Sequence, residues 1–153
     1  MNAFEAQAAK IEATSPYLSA FIRPDRKFLR MDWFSYNIEL DGLDVGPSSG
    51  QIQFMADSDF ILTQINAENC DFRNEIGILL QITDLSTGKT FYSAPTPMVQ
   101  VVGTDGFPYL LPVPRLIAPK TTLQFDMTTP GVVRTPSIFL ALVGYRVFYG
   151  GPN

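Results

Sequence analysis

Apolar and polar residues alternate along most of this chain. Phe34, Tyr36, Ile38 and Leu40 alternate with Ser35, Asn37 and Glu39, which predicts a strand with one buried face. Ile52 and Phe54 repeat the pattern against Gln51 and Gln53, and Phe60 to Ala67 predicts a third strand after the punctuation of Asp57-Ser58-Asp59. Ile76, Ile78, Leu80 and Ile82 alternate next and end in Asp84-Leu85-Ser86-Thr87-Gly88-Lys89, where Gly88 can supply the positive φ of a bulged hairpin turn. Phe91 to Ala94 and Pro97 to Val102 are expected to be short strands, or one strand broken by proline. Leu123, Phe125 and Met127 then alternate with Gln124 and Asp126.

Two stretches depart from simple alternation. Phe107 to Pro119 is apolar but carries Pro108, Pro112, Pro114 and Pro119, so it is expected to be a long connection across the end or edge of a sheet. Ile138 to Tyr149 is apolar on both faces. Ile138, Leu140, Leu142 and Phe148 point one way, and Phe139, Ala141, Val143, Tyr145, Val147 and Tyr149 the other. Such a strand needs a layer over each face, from its own chain or a neighbour's. Seven to nine short strands with nothing helical between them predict an all-β fold, an antiparallel β-sandwich of jelly-roll type.

The first residues read differently. Asn2 to Ala13 predicts a helix: Asn2 can cap it, Glu5 can reciprocate, and Phe4, Ala8 and Ile11 form a narrow apolar stripe before Ser15-Pro16 ends it. A helix this short needs a surface to dock on. Arg23 to Arg30 follows with Arg23, Arg26, Lys27 and Arg30 against Asp25. The expected organisation is a helix and basic arm over 1–30 and a β-sandwich domain over 31–153.

Composition narrows the chemistry. The 153 residues include no histidine, which removes Ser-His-Asp and Cys-His catalysis and the imidazole ligand common in zinc sites. Cys70 is alone, so no disulfide forms within the chain, and an inert small apolar role is expected of it. No run approaches a membrane span, and Met1 to Lys10, with Glu5 and no apolar core, does not read as a signal peptide. A net charge of −4 argues against nucleic acid as a partner and favours an acidic protein surface as the target of the basic run. Asp57 with Asp59, and Asp41 with Asp44, read as turn formers rather than calcium ligands. No phosphate-cradling glycine loop is present, so no cofactor, metal or catalytic residue is expected.

One resemblance follows from the order of the segments. An N-terminal arm precedes "DWFSYNIEL", "QIQFMADSDFIL", "ITDLSTGKTFYSAP", "LLPVPRLIAPKTTLQFDMT" and the closing "IFLALVGYRVFYG". Residues 32–149 thereby resemble the small jelly-roll or β-barrel virion proteins of tailed bacteriophages: capsid cement (decoration) proteins and related head, collar or tail accessory proteins. The resemblance implies a non-enzymatic structural protein of the virion, assembled in the host cytoplasm. It would form homo-oligomers and bind the major capsid protein or other virion proteins. The residues expected at interfaces are Phe4, Ile11, Arg23, Arg26, Lys27, Arg30, Phe139, Tyr145 and Tyr149. The alternatives are a head–tail, collar or tail accessory role on the same fold, a carbohydrate-binding jelly roll using Trp33 and the tyrosines, and a hydrolase built on paired carboxylates.

Overall fold

A computed structural model describes residues 16–40, 47–68, 78–104, 107–128 and 137–152; the helix expected over Asn2–Ala13, with Phe4 and Ile11, and Cys70 lie outside them. In chain order the elements are α1 (Pro16–Ser19), β1 (Arg26–Leu40), β2 (Ser48–Gln53), β3 (Asp59–Glu68), β4 (Leu79–Asp84), β5 (Lys89–Thr90) and β6 (Thr96–Pro97). There follow α2 (Met98–Val102), β7 (Gly103–Thr104), β8 (Phe107–Pro108), β9 (Leu110–Ile117), β10 (Thr122–Thr128) and β11 (Ile138–Pro152).

Two antiparallel sheets face each other. One runs β1-β11-β3-β9; the other runs β2-β10-β4-β5, with β6 also pairing β4. Counting β5 and β6 as one interrupted strand and setting aside the small β7–β8 pair leaves eight strand positions, which read 1-8-3-6 and 2-7-4-5. That interleaving of early and late strands is the jelly roll.

The alternating residues fill the space between the sheets. Leu40, Ile65, Ile82, Phe125, Met127 and Leu142 are fully buried there, each contributing about 1.5–3 kcal/mol. Phe34, Tyr36, Phe54 and Phe60 form an aromatic cluster at one end, with ring centroids 4.4–5.4 Å apart. The Tyr36 hydroxyl accepts the Met55 N–H at 3.2 Å, so the phenol is buried with a partner.

β1 and β11 are each 15 residues long and outrun the second sheet, whose longest strand has seven. Past its edge the inner face of β1 and β11 is closed by stacked cations instead of aliphatic packing. The Arg30 guanidinium lies 4.1 Å from the Phe148 ring, and that of Arg146 lies 4.7 Å from Phe148 and 4.9 Å from Phe34.

Four expectations change. Met98–Val102 is a helix rather than a strand, so one helix does lie between the strands. Its buried residues, Met98, Val101 and Val102, stand at i, i+3 and i+4, the helical and not the strand period. Phe91–Ala94 is bent, although the Phe91 N–H still bonds Ile82 C=O at 2.8 Å. Phe107–Pro119 is more than a connection. From Leu110 it forms β9, pairing β3 at Leu110 and at Arg115 to Ile117, and the ladder is broken where Pro112 and Pro114 offer no N–H. Strand β1 starts at Arg26, so residues 26–30 of the expected arm are already paired with the end of β11. Gly88 takes the positive φ its turn needs, at 70°.

β11 slips by one residue against β3, where Thr63 is the extra residue between Val143↔Gln64 and Gly144↔Leu62. At this bulge the two backbones come too close for a side chain: a Cβ on Gly144 would stand 1.9 Å from the Ile61 carbonyl oxygen. Gly144→Ala is therefore expected to lower stability by about 3 kcal/mol or more, at the top of the overpacking range. Gly150→Ala, which meets only ordinary contacts, is expected to melt like the parent. Thermal unfolding of the pair checks this.

Candidate assembly surface

The outer face of β1-β11-β3 carries a second apolar cluster, in which Phe28, Ile61 and Val147 are buried beneath Leu18 and are flanked by Phe21, Ile22, Met31, Tyr145 and Tyr149. The cover is the segment from α1 to Ile22, turned by the N–H groups of Phe21 and Ile22 bonding Leu18 and Ser19 carbonyls. It is fastened by Arg23. Its Nε and Nη2 donate to the two Asp59 carboxylate oxygens at 2.8 and 3.1 Å, and its backbone N–H donates to the Tyr149 hydroxyl at 2.9 Å. Asp59 is only 2% exposed, so this bidentate pair is its compensation for leaving water. Burial pushes the Tyr149 phenol above its ordinary value.

The other aspartate of the turn is also held. The Arg146 guanidinium donates to Asp57 at 2.6 Å and to Ser58 Oγ at 3.1 Å, and it keeps the Asp57 carboxyl below the usual carboxylate range. Asp57 and Asp59 are thus arginine anchors, and Asp57, held ionised, is poorly suited to donate a proton. Among the described residues no group of three or more His, Cys, Asp or Glu could hold a metal ion.

The expected interface residues fall into separate places. Arg23, Tyr145 and Tyr149 come together in the clasp. Arg30 stacks on Phe148 and pairs with Asp32 at 2.9 Å, while Arg26 and Lys27 are exposed at the start of β1. Phe139, 42% exposed, stands at the far end of β11, opposite Glu39 on one side and Glu68 on the other.

Among the described residues the largest apolar exposure is elsewhere, along β9. Leu110 and Val113 are each 69% exposed, Tyr109 50% and Leu116 42%, all within eight residues on an open sheet edge. Two depressions border it. One of about 540 Å³ is lined by Tyr92, Gln100, Tyr109 and Leu111, and one of about 250 Å³ by Thr63, Leu111, Pro112 and Pro114. Burial raises the Tyr92 phenol as well, against the pull of the nearby Arg115 charge. The sequence reading puts this segment at the end or edge of a sheet but as a connection, so its pairing as a strand and the exposure of its apolar residues are not foreseen. The signal was the prolines themselves, since a ladder that loses N–H donors is found at a sheet's edge. Trp33, 65% exposed, was singled out for sugar stacking; on its face of the β1–β11 ladder stand Met31, Ser35 and Tyr145, none of them a carboxylate.

No family model, no curated protein and no solved structure matches this chain. The jelly roll is therefore known here from its own strand order.

Arg23→Ala strands a buried carboxylate, and the expected loss is about 2–3 kcal/mol, below the value for a wholly buried pair because Arg23 is one-third exposed. Hydrogen exchange should quicken at residues 18–22 while the core amides keep their order of protection. In alkali, Tyr92 and Tyr149 are expected to ionise above the ordinary value near 10. Because the folded value is the raised one, their contribution is complete below pH 10 and is lost as pH climbs through the folded value. Absorbance titration of tyrosinate, with Tyr149→Phe and Tyr92→Phe assigning the late steps, measures it.

Proposed function

We propose that this chain is a non-enzymatic structural subunit of a tailed-phage virion. In this reading it is a capsid cement protein that binds neighbouring capsid subunits and copies of itself; a head–tail, collar or tail accessory place in the particle is the alternative on the same fold. The observation that carries the proposal is the β9 edge. A jelly roll that covers the inner face of β11 with its second sheet, and Val147 on the outer face with its N-terminal cover, still leaves Tyr109, Leu110, Val113 and Leu116 in water. Contiguous apolar exposure of this kind marks an interaction surface. Pro112 and Pro114 discourage addition of a further strand, so the edge offers side chains rather than backbone to its partner. Asp57 and Asp59, ahead of and at the start of β3, are committed to arginines, which supports a structural over a hydrolytic role. The segment-by-segment resemblance to phage virion proteins supplies the setting.

Leu110→Ser/Val113→Ser tests the surface. Both side chains are mostly in water, so thermal stability should move by no more than about 0.5 kcal/mol per site. Self-association that resists high salt is expected to fall at least tenfold in sedimentation equilibrium. Added to expanded, undecorated phage heads, the parent protein should coat the shell and the double variant should not. A parent protein that is monomeric and leaves heads bare removes the cement reading.

A further inference from the structure

A cleft of about 660 Å³ opens between the β4–β5 turn and the β9–β10 turn, where β5 and β9 are the end strands of the two sheets. Lys89, Arg115 and Lys120 line it, and its apolar wall includes Phe91, Leu116 and Pro119. Arg115 is held in position, its guanidinium 4.3 Å from the Phe91 ring and Nη2 donating to Phe91 C=O at 3.0 Å. Asp84 is the one carboxylate among the described lining residues, and its Oδ1 already accepts the N–H groups of Ser86 and Thr87 at 2.8 and 3.3 Å. Among the described residues none of the three cations has a carboxylate partner, whereas Arg23, Arg30 and Arg146 each do.

Two of the lining residues are poor choices for folding alone. Ala118 to Thr121 is a four-residue turn, closed by the Thr121 N–H donating to Ala118 C=O at 3.3 Å, with Pro119 second and Lys120 third. Lys120 has φ 62°, and among the described residues it is the one non-glycine residue at positive φ. A turn with proline second and positive φ third favours glycine or asparagine there. Lysine at this place costs stability and puts a cation in the cleft. Thr121 is only 5% exposed, yet its hydroxyl makes no hydrogen bond to another described residue; it too lines the cleft. A buried hydroxyl without a partner is destabilising until something supplies one.

The lining also selects among anions. Phe91 is the single aromatic of the described lining, and Arg115 already stacks on it, so a base or a sugar ring finds no free platform. A long polyanion would in addition meet a chain of net charge −4. A short peptide carrying carboxylates beside an aliphatic side chain matches both the cations and the wall.

We infer that this cleft binds an acidic peptide segment of a partner protein, its carboxylates meeting Lys89, Arg115 and Lys120 and an aliphatic side chain between them lying on Phe91, Leu116 and Pro119. The Thr121 hydroxyl donates to one of the carboxylate oxygens. The site does not use Leu110 or Val113, and it would be present whatever assembly the chain joins. Its ion pairs stand at a rim, so binding weakens as salt is added.

The test is fluorescence anisotropy of the full chain with a labelled short peptide alternating Glu and Leu. The peptide should bind, with affinity falling at least tenfold between about 50 mM and about 500 mM salt. The analogue alternating Gln and Leu, and a single-stranded oligothymidine, should each bind at least tenfold more weakly. Lys89→Gln/Lys120→Gly should lose at least tenfold in affinity and melt no lower than the parent, because glycine relieves the turn. Thr121→Val should melt at or above the parent and bind severalfold more weakly, since it removes only an unpartnered hydroxyl. Leu110→Ser/Val113→Ser should bind the peptide as the parent does, which separates failure of this site from failure of the apolar edge. No binding of the Glu–Leu peptide, equal binding of its Gln analogue, or tighter binding of the oligonucleotide overturns the acidic-peptide site. So does either cleft variant that binds as the parent does or that melts well below it.

Discussion

A strand with apolar side chains on both faces cannot rest at a sheet surface, and β11 is such a strand. Its inner residues Ile138, Leu140 and Leu142 are buried against the second sheet, while Val147 on the outer side is buried with Leu18 and Ile61 beneath the N-terminal cover. The sandwich alone supplies only the first of these layers. The second comes from a few residues before β1, too short to be stable alone, fastened through Arg23 to a carboxylate that would otherwise be buried without a partner. Cover and anchor therefore depend on each other.

That arrangement decides what remains for other molecules. The clasp and the Arg146–Asp57 pair consume charges near the start of β3, and the cation stacks on Phe34 and Phe148 seal the overhang of β1 and β11. Among the described residues, those left uncommitted include an apolar edge on β9 and three cations in a cleft. The first is insensitive to ionic strength and the second is not. A protein with both kinds of surface can be assembled in stages, through long-range charge first and close apolar fit afterwards.

The fold was legible wherever one face met the core and the other met water. Period-two alternation placed β2, β10, the second half of β1 and the buried face of β4, because each has a single solvent side there; β3, with Ile61 buried on its outer face as well, was marked only by the turn before it. It failed at Met98–Val102, where five apolar residues carry no polar alternation and only the spacing of the buried ones separates helix from strand. The basic run was legible as charge but not as structure. Arg23 and Asp59 lie 36 positions apart, and no local pattern reports a pair made across a sheet face. The β9 edge was hidden for a related reason: apolar residues among prolines look alike whether they face a core or an open rim.

The strand order also constrains how the molecule comes into being. β11 lies between β1 and β3, so the middle of the larger sheet leaves the ribosome after both of its neighbours. Until then β1 and β3 have no common partner, and the acceptors and donors along their facing sides are unpaired. Pairings such as Leu40↔Ile138 and Phe28↔Tyr149 join residues 98 and 121 positions apart, a topology associated with slow closure. Nascent chains truncated before β11 would present two sticky strand edges, and crowding them on one messenger would favour exchange of that last segment between copies.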